Sequence, residues 1–516
     1  MALGKQRPAR YRSARRPTRR AGRLAREEAF AAASAEGAFG VRGRGLVAGI
    51  DSSTQSCKVT VRDIATGEQV REGKATHPTG TIVHPHRWWG ALLAAVRCAG
   101  GLEDVLAVSV SGQQHTPIFL DTTGHVVRES PLWNDTGSHA HMVALNNELG
   151  KEEWIKRTGL PITLSDTVSK LRWLRDTDPA SAARTAAVAV VHDWLTWRLL
   201  GYGEGATDLT TLTTDRSEAS GTGYWSPDTG QYCMDLVEHA LGRSAVLPRI
   251  LGPHERAGVT ADGIPGVPAG IPIGVGSGDN AAAALALGIA EGDAVMSLGT
   301  SGVVYLRSTQ PVHDLSGYVS NYADASGGHL PLVATLNAGR NFDAGTTMLG
   351  CTHAELSKLA LHSSSGAEGL TMLPFFEGER TPDLPTVRAS LHGASLFNFT
   401  RENMARAIIE GTLVSQVAML DALASCGLSA DRLLLIGGAA PSPAVQTILT
   451  QMVDMPVVLP AVDEYVTRGA ALQAACALEG DFPSWPVTVE EMPPAPMDRQ
   501  VIMQHAAAMS ALGYTD

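Results

Sequence analysis

The sequence predicts an α/β protein built from two duplicated domains. Short apolar runs alternate with amphipathic helical stretches along most of the chain, which is typical of sheets covered by helices. A strand-turn-strand pattern occurs twice, about 246 residues apart. A length of 516 residues also exceeds what one hydrophobic core accommodates. We therefore expect two α/β domains, each around a largely parallel central sheet.

The first half begins with LVAGIDSSTQSCKVTVRDIATGEQVREGKAT, residues 46–76. Its three extended runs, separated by turn residues, predict a three-stranded meander. Trp88, Leu92 and Val96 then recur at helical spacing, and we expect Trp88 and Trp89 to pack in the core. The apolar strand VLAVSVSG follows and leads into the polar loop GQQH.

The second start lies at residue 293, in DAVMSLGTSGVVYLRS. When the two starts are superimposed, Gly299-Thr300 falls opposite Ser53-Thr54, and Ser297 falls opposite Asp51. One of two equivalent turns therefore carries a carboxylate, which indicates a duplicated domain whose halves have specialised. Long helices alternating with the strands RLLLI and PVVLP complete the second half.

The charge distribution separates a basic N-terminal segment from an acidic body. Residues 1–45 contain twelve basic and three acidic residues, against 29 basic and 49 acidic residues in the remainder. The segment lacks apolar periodicity, so we expect a disordered extension; a transit peptide, a nucleic-acid-binding arm and sequence upstream of the true start stay open. The acidic body argues against a nucleic-acid groove. We expect domains at 46–285 and 286–516.

The composition excludes several classes of protein. Hydrophobic residues make up 44% of the chain, but no run approaches the roughly 18 uninterrupted apolar residues of a membrane span. The six cysteines are scattered, without a Cys-x-x-Cys pair. This argues against a disulfide framework or a zinc site and favours a reducing cytoplasm.

Three turns of small residues follow predicted strands, at 51–56, 299–302 and 437–439. Gly, Ser and Thr present backbone N–H groups and hydroxyls that suit phosphate oxygens. The single phosphate loop G-x-x-x-x-G-K-[ST] is absent. We expect the first two turns to grip a polyphosphate from both sides, and the third to hold a nucleoside.

The stretch VGSGDNA, residues 275–281, sets Asp279 and Asn280 between a predicted strand and an alanine-rich helix. Asp and Asn are good helix caps, and a negative charge suits the positive end of the helix dipole. A carboxylate at a strand end can instead be aimed into a cleft. These residues alone leave both interpretations open.

Together these segments resemble the FGGY carbohydrate kinases, within the sugar kinase, Hsp70 and actin superfamily. The matching segments occur in family order over residues 46–480 and are GIDSSTQSCK, HPHRWWGAL, SVSGQQH, PLWND, GVGSGDNAA, SLGTSG, MLPFFEGERTP and LLLIGGAAPS. The resemblance implies two actin-like, ribonuclease H-like domains with an interdomain cleft. It is strongest to members that phosphorylate D-xylulose with ATP to give D-xylulose 5-phosphate.

Carried over residue by residue, the resemblance implies a division of roles. Asp279 is the general base that accepts the proton of the sugar hydroxyl, and Asp51 holds Mg²⁺ through water. The residues expected to contact the sugar are Gln114, His115, Asp135, Asp279 and Asn280, with Trp133 nearby. The residues expected to contact the nucleotide are Ser53, Thr54, Gly299, Thr300, Gly339, Gly438, Ala439 and Ser442. ATP and Mg²⁺ are the implied cofactors.

Some positions depart from the family pattern or have simpler interpretations. Ser53 stands where many members have glycine, and Pro441 removes a backbone donor beside the nucleoside turn. His115 taken alone is more often a loop histidine than a ligand. Glu379 and Arg380 read as a structural ion pair. Residues 206–225 look longer than their counterpart in the family and read as a surface loop near the sugar entrance.

Two alternatives for the function stay open. One is a kinase for another ketose or polyol, such as ribulose, glycerol or gluconate. The other is a non-catalytic sensor of sugar or nucleotide that uses the basic arm on DNA; the presence of both Asp51 and Asp279 opposes it, because a sensor needs neither metal nor base. The partners expected are a small sugar and a nucleotide, without a membrane, and the sequence leaves a homodimer open.

Overall fold

The computed structural model of the chain describes residues 45–382 and 384–514. The predicted basic extension lies outside the described residues, except for Gly45. The described chain is built around two seven-stranded sheets, and each sheet contains strands from one half of the sequence only.

The two sheets share one strand order around their first strand. In each, the first two strands of the half pair antiparallel, another strand pairs antiparallel with the second, and a later strand pairs in parallel with the first. In the second sheet, His329–Thr335 is the strand beside the second one, and Ser320–Ala323 lies beyond it at the edge. In spatial order the first sheet contains Arg256–Val259, Pro272–Gly274, Val105–Gly112, Leu46–Ser52, Ser56–Asp63 and Gln69–Thr76, with Ser277–Gly278 beside Val105–Gly112. The second contains Ser320–Ala323, His329–Thr335, Gly302–Leu306, Gly292–Leu298, Ala430–Ile436, Val457–Pro460 and Val489–Glu491. This repetition confirms the predicted duplication.

The predicted meander is confirmed, but the prediction of largely parallel sheets is wrong. Both sheets are mixed, because the opening strands of each half are joined by turns too short for the crossover that parallel pairing requires. Only three residues separate Leu46–Ser52 from Ser56–Asp63. Parallel pairing begins where helices intervene, as between Leu46–Ser52 and Val105–Gly112.

Helices cover the sheets and fill the connections. In chain order the α-helices are His86–Cys98, His139–Leu149, Lys151–Thr158, Thr167–Thr177, Pro179–Arg184, Val191–Leu199, Arg216–Ser220, Met234–Leu241, Asp279–Leu287, Gly339–Leu349, His353–His362, Arg401–Ser425, Pro443–Thr450, Tyr465–Glu479 and Gln500–Ala511. Two 3₁₀ turns span Leu209–Thr211 and Ser365–Gly369. The small two-stranded sheets pair Ile82–Val83 with Ser130–Pro131, Ile118–Leu120 with Ala187–Ala189, Thr213–Asp215 with Arg249–Leu251, Trp225–Ser226 with Gln231–Tyr232, and Thr371–Leu373 with Ser390–His392.

Helix Arg401–Ser425 lies at the centre of the hydrophobic core of the second half of the chain. Its length and apolar composition would suffice for a membrane span, but 72% of its most apolar window is buried inside the protein. Thr400 caps it by accepting a hydrogen bond from the Asn403 N–H. In the first half, Trp88 is fully buried in the core as predicted, while Trp89 packs at its margin and faces the Arg198 guanidinium.

Residues 206–225 are not the predicted surface loop. They form strand Thr213–Asp215 and helix Arg216–Ser220, and most of their side chains from Leu212 onward are buried. The prediction was wrong because Asp215, Ser217 and Ser220 in this stretch form hydrogen bonds inside the protein, which local composition does not reveal.

Helix Tyr465–Glu479, which we call the connecting helix, joins the second half to the first sheet. Glycines allow its backbone to approach the first half closely. A Cβ atom on Gly469 would lie 2.0 Å from the Ala282 carbonyl oxygen, and one on Gly49 would lie 1.9 Å from the Thr467 carbonyl oxygen. The helix that begins at Asp279 is therefore held directly against the second half.

Ion pairs lie at the N-terminal end of the connecting helix, where it meets the first half. Lys58 Nζ lies 2.6 Å from Glu464 Oε2. The buried Arg62 guanidinium pairs with Asp463, and Arg468 Nη1 lies 2.8 Å from the same carboxylate. The pKa of Asp463 is lowered by these hydrogen bonds against the opposing effect of burial, so its charged form is stabilised where the halves meet.

Gly469→Ala is expected to destabilise the protein, because its methyl group would overlap the Ala282 carbonyl and force the two helices apart. Overpacking of this kind costs about 1–3 kcal/mol. Thermal and urea unfolding followed by circular dichroism measure the loss.

The matched control is Gly90→Ala, since Gly90 is also helical but has no atom within 4 Å of the place where the added methyl group would lie. It is expected to stabilise the protein by about 0.5–1 kcal/mol through helix propensity. Equal effects of the two substitutions would show that close helix contact at Gly469 contributes nothing.

Candidate active site

Three parallel strands of the first sheet end in register at one edge. Asp51 lies opposite Ser111 on the neighbouring strand, and Ser277 lies opposite Ser111 from the other side. The hydroxyls of Ser111 and Ser277 are 3.0 Å apart. The residues that follow these strands include Asp279 and the polar loop containing Gln114, so the predicted functional segments share the carboxyl edge where open α/β sheets bind ligands.

Asp279 is the first residue of its helix, and Gly278 occupies the cap position. Its Oδ1 accepts hydrogen bonds from the Asn280 N–H at 2.8 Å and from Asn280 Nδ2 at 3.1 Å. The side chain is partly accessible but enclosed by protein on most sides, and this burial raises the pKa of the Asp279 carboxyl to about 6. The carboxylate is thus held in a defined orientation without serving as the helix cap.

Asp51 lies deeper in the same edge, with 4% of its surface exposed. The Ser53 hydroxyl donates a hydrogen bond of 2.5 Å to its Oδ1. Burial, with repulsion from the Asp279 carboxylate, raises the pKa of Asp51 to about 7 despite this hydrogen bond. The two predicted carboxylates are therefore close enough to interact electrostatically.

The turn after Asp51 is fixed by a tryptophan. Trp133 Nε1 donates a hydrogen bond of 2.9 Å to Thr54 Oγ1. The neighbouring Asp135 accepts hydrogen bonds from Thr81 Oγ1 at 2.6 Å and from the Gly137 N–H at 2.9 Å. Trp133 thus contacts the turn that contains Thr54, whereas Asp135 contacts Thr81, and its place in the sugar pocket stays a prediction.

His115 is not an ordinary loop histidine. Its backbone is in the left-handed region at φ 70°, which is strained for a residue with a side chain. Its Nδ1 lies 2.6 Å from the Gly221 carbonyl oxygen and 3.4 Å from Asp166 Oδ1. Burial lowers the pKa of the imidazole. Because a carbonyl only accepts, Nδ1 carries the proton and Nε2 is left as an acceptor.

Gln114 packs against the residue before Asp279. Its Nε2 donates a hydrogen bond of 3.0 Å to the Ser217 carbonyl, and a Cβ atom on Gly278 would lie 2.7 Å from the Gln114 side chain. Glycine at 278 is therefore needed for the amide to reach this position. The predicted pair Gln114-His115 and the Asp279-Asn280 step are brought together.

In the second half, the turn Gly299-Thr300 meets the start of helix Gly339–Leu349. The Gly339 N–H donates a hydrogen bond of 2.8 Å to the Gly299 carbonyl. A Cβ atom on Gly339 would lie 2.5 Å from that oxygen, so only glycine allows this approach. A helix N-terminus beside a small-residue turn is a favourable environment for phosphate oxygens.

The turn 437–442 lies against the same strand end. The Ala439 N–H donates a hydrogen bond of 3.1 Å to the Leu298 carbonyl, and Gly437 has a left-handed backbone packed on Leu298. Ser442 then donates its N–H to the Ala439 carbonyl at 3.1 Å. All the residues predicted to contact the nucleotide from the second half therefore lie around the carboxyl ends of two parallel strands.

Sequence reasoning missed several side chains near His115. Tyr322, from the second half, lies edge-on to the His115 ring with centroids 5.9 Å apart. Burial raises the pKa of the Tyr322 hydroxyl, and the charge of the nearby Arg380 guanidinium opposes this rise. Lys170 is fully buried and donates to the Leu164 and Ser165 carbonyls; burial lowers the pKa of its ammonium to about 7. No local motif marks Tyr322 or Lys170, because the folded chain brings them from separate segments. Arg380 lies in the motif MLPFFEGERTP, but the sequence predicted it only as a partner of Glu379.

The predicted ion pair between Glu379 and Arg380 is wrong, although Glu379 is structural. The Glu379 carboxylate is 1% exposed and accepts hydrogen bonds from the Leu336 and Arg380 N–H groups at 2.8 and 2.7 Å and from Asn337 Nδ2 at 2.8 Å. Backbone N–H groups and an amide, not the Arg380 guanidinium, thus occupy the Glu379 carboxylate.

A buried ionisable cluster lies behind the carboxyl edge. His192 Nδ1 is 3.0 Å from Asp193 Oδ1 and 3.9 Å from Glu218 Oε1. Neither carboxyl oxygen of Glu218 forms a hydrogen bond with another described residue. Burial, with repulsion from Asp193, Asp215 and Asp279, raises the pKa of Glu218 well above its usual value and favours the neutral acid.

Comparisons with known proteins agree with this architecture. Two family models match the chain: the N-terminal domain of the FGGY family of carbohydrate kinases over residues 46–286, and the C-terminal domain over residues 294–478. A xylulose kinase of Streptomyces rubiginosus is 40% identical over 448 residues, which is 85% of this chain and 89% of that protein.

Solved structures show the same relationship. The crystal structure of xylulose kinase from Bifidobacterium adolescentis has a TM-score of 0.83 and 43% identity, over 90% of this chain and 99% of that chain. Glycerol kinase of Plasmodium falciparum, solved with ADP, has a TM-score of 0.82 at 19% identity, over 92% of this chain and 98% of that chain. The second likeness is one of fold alone.

Glu218→Gln is expected to stabilise the protein increasingly as the pH rises. The raised pKa means that folding holds a proton that the unfolded chain releases above about pH 4.5, so the wild type loses stability with rising pH, whereas glutamine does not titrate. Melting temperatures of both proteins between pH 4 and pH 8 measure the difference.

Glu355→Gln is the control of opposite sign, because hydrogen bonds from Thr352 lower the pKa of Glu355. Glu355→Gln is expected to be less stable than the wild type at neutral pH. This difference in stability shrinks only below about pH 4.5, where the wild-type carboxylate takes up a proton. A melting-temperature difference for Glu218→Gln that is constant with pH would contradict the assignment of a neutral acid at 218.

Proposed function

Because the chain belongs to the FGGY family of carbohydrate kinases, we propose that it transfers the terminal phosphoryl group of ATP to the terminal hydroxyl of D-xylulose, with Asp279 as the general base. The product is D-xylulose 5-phosphate. The observation that carries this proposal is the oriented Asp279 carboxylate, which lies at one sheet edge beside Gln114 and His115. The choice of D-xylulose is supported by the names of the relatives that are 40% and 43% identical to this chain.

The environment of Asp279 suits a base that acts late in phosphoryl transfer. Hydrogen bonds from Asn280 fix the carboxylate, so that it can orient a hydroxyl before accepting its proton. A pKa of about 6 makes it more basic than a free aspartate, yet leaves it mostly ionised at pH 7. Phosphoryl transfer mainly requires positioning and charge stabilisation, so a stronger base is unnecessary.

The neighbouring groups suit a sugar rich in hydroxyls. The His115 Nε2 atom is available to accept a hydroxyl hydrogen, since Nδ1 is occupied by the Gly221 carbonyl. The Gln114 amide donates to Ser217 and keeps its carbonyl oxygen for a second hydrogen bond. Asp135 and the Trp133 ring would complete the pocket, and Asn280 would contact the same sugar while holding Asp279.

The residues around Asp51 fit Mg²⁺, which prefers oxygen ligands and often keeps several waters. A buried carboxylate with a raised pKa is stabilised in its charged form by a nearby cation, and Asp51 has this character. Asp51 would hold the ion through water, and the ion would neutralise charge on the nucleotide phosphates. Ser53 and Thr54 in the first turn and Gly299 and Thr300 in the second would hold those phosphates by hydroxyls and backbone N–H groups.

The remaining second-half residues suit the nucleoside end of ATP. Gly438 has open space around it, so a ligand can approach its backbone, and Ala439 and Ser442 lie in the same turn. Gly339 would link this turn to the phosphates. The cytoplasm is the proposed location, supported by six cysteines that are all free. The domain boundaries near residue 285 and a homodimer stay predictions.

Asp279→Asn is expected to lower kcat about 10²- to 10⁴-fold, because the amide keeps the shape of the side chain but cannot take the proton. D-Xylulose binding, measured by titration calorimetry, is expected to change only a few-fold. Asp121→Asn is the matched control: Asp121 also accepts backbone hydrogen bonds, from Thr123 and His125, but lies in a surface turn. Near-normal turnover of Asp279→Asn would remove Asp279 from its proposed role.

A coupled ADP-release assay with D-xylulose, D-ribulose, glycerol and gluconate tests the substrate. We expect kcat/KM for D-xylulose to exceed the others by at least about tenfold, since hydroxyl-specific hydrogen bonds discriminate strongly when their partners are missing. The assay uses the full chain and a version that begins at residue 46. A clear preference for another sugar would overturn the substrate while leaving the kinase class intact.

A further inference from the structure

Helix Arg216–Ser220 lies directly behind the residues of the proposed site. Ser217 and Glu218 on this helix are fully buried, and Asp215 caps it. The Asp215 carboxylate accepts hydrogen bonds from the Ser217 N–H at 2.7 Å, the Ser217 hydroxyl at 2.6 Å and the Glu218 N–H at 3.0 Å. These bonds fix both the start of the helix and the direction of the Ser217 hydroxyl.

The Ser217 hydroxyl acts on the backbone beside Asp279. Its hydrogen is directed to Asp215, so an oxygen lone pair remains to accept the Gly278 N–H, at 2.9 Å. Gly278 immediately precedes Asp279 and has no side chain that could hold the turn by itself. The Ser217 hydroxyl therefore holds the peptide group that orients the Asp279 carboxylate.

The same helix contacts the proposed sugar-binding residues through different atoms. The Ser217 carbonyl, not its hydroxyl, accepts the Gln114 amide hydrogen at 3.0 Å. The Gly221 carbonyl, just after the helix, contacts His115 Nδ1 at 2.6 Å. The Ser217 hydroxyl thus holds the peptide next to the proposed base, whereas backbone carbonyls hold the residues proposed to bind the sugar. A substitution of the Ser217 side chain therefore removes the first contact and keeps the others.

The helix also touches the second half. Ser220 Oγ accepts the Ala323 N–H at 2.9 Å and donates to the Ser217 carbonyl at 2.7 Å. Because these contacts hold the helix from behind, the position of the Ser217 hydroxyl is set by the surrounding protein and not by a bound ligand.

We propose that Ser217 is a positioning residue for phosphoryl transfer, which holds the Gly278 peptide and thereby aims Asp279 at the sugar hydroxyl. The proposal rests on the proposed function, since it assigns the orientation of the general base. It gives the buried stretch around residue 217 a task in the reaction beyond packing. Its signature is a loss of kcat without a matching change in KM for the sugar.

Ser217→Ala tests the proposal in the full-length protein. Removing the hydroxyl leaves the Gly278 N–H without its acceptor, while the Ser217 carbonyl still holds Gln114. We expect kcat to fall about 10- to 100-fold, because a small misalignment of a reacting group has effects of this size. KM for D-xylulose is expected to stay within about threefold of the wild type, since the contacts through Gln114 and His115 are kept.

Thr260→Val is the matched control for the loss of a buried hydroxyl. Thr260 Oγ1 donates to the Pro268 carbonyl at 2.6 Å and accepts the Ile271 N–H at 3.1 Å, within the first half but outside the proposed site. It is expected to lower the melting temperature about as much as Ser217→Ala while keeping wild-type kcat. Ser217→Cys, which fills the space with a weak acceptor, is the second variant with the same expectation as Ser217→Ala.

The outcomes separate the two hypotheses. If both Ser217 variants keep kcat within twofold of the wild type while Asp279→Asn loses it, the positioning role is wrong and the proposed base stands. A parallel loss of kcat in Thr260→Val, or a rise in KM that accounts for the loss in Ser217→Ala, also overturns the positioning role. If Asp279→Asn keeps its turnover, the proposed function itself fails.

Discussion

Two carboxylates share the carboxyl edge of the first sheet, and their charge is the constraint on which the proposed site depends. Burial raises the pKa of Asp51 to about 7 and that of Asp279 to about 6, and repulsion from Asp279 contributes at Asp51. Keeping both ionised is unfavourable in the free protein. Under the proposed function, the reactants would relieve this unfavourable charge: a divalent cation would lie beside Asp51, and the sugar hydroxyl would give its proton to Asp279.

Close backbone contact holds the two halves of the chain together and determines which residues surround Asp51 and Asp279. Gly49 and Gly469 let the connecting helix touch a strand of the first sheet and the helix that begins at Asp279. Tyr322 and Ser220 add contacts between the halves beside His115 and behind Gly278. A movement of one half against the other would therefore act directly on the residues that bear the chemistry, as substrate-induced closure in kinases requires.

The strands and their ends could be predicted from the sequence, because apolar runs and small-residue turns are local signals. The meander of residues 46–76, the strand-turn-strand pattern that repeats it in the second half, the Gly-Asp-Asn step at a helix start and the repeated turn at residues 54 and 300 were found in this way. The helix containing Ser217 was missed, since its hydroxyl and carboxyl groups resemble those of a surface loop until their buried partners are known. Tyr322 was missed for a related reason: its contact with His115 depends on how the halves meet.

The proposed function depends on the direction in which the Asp279 carboxylate points when the substrates are bound. A crystal structure of the protein with D-xylulose, Mg²⁺ and a non-hydrolysable ATP analogue measures this directly. We expect an Asp279 carboxylate oxygen within about 3 Å of the terminal hydroxyl oxygen of the sugar, with the terminal phosphate on the far side of that hydroxyl. A complex in which Asp279 contacts neither the sugar hydroxyl nor a bridging water would contradict the proposed function.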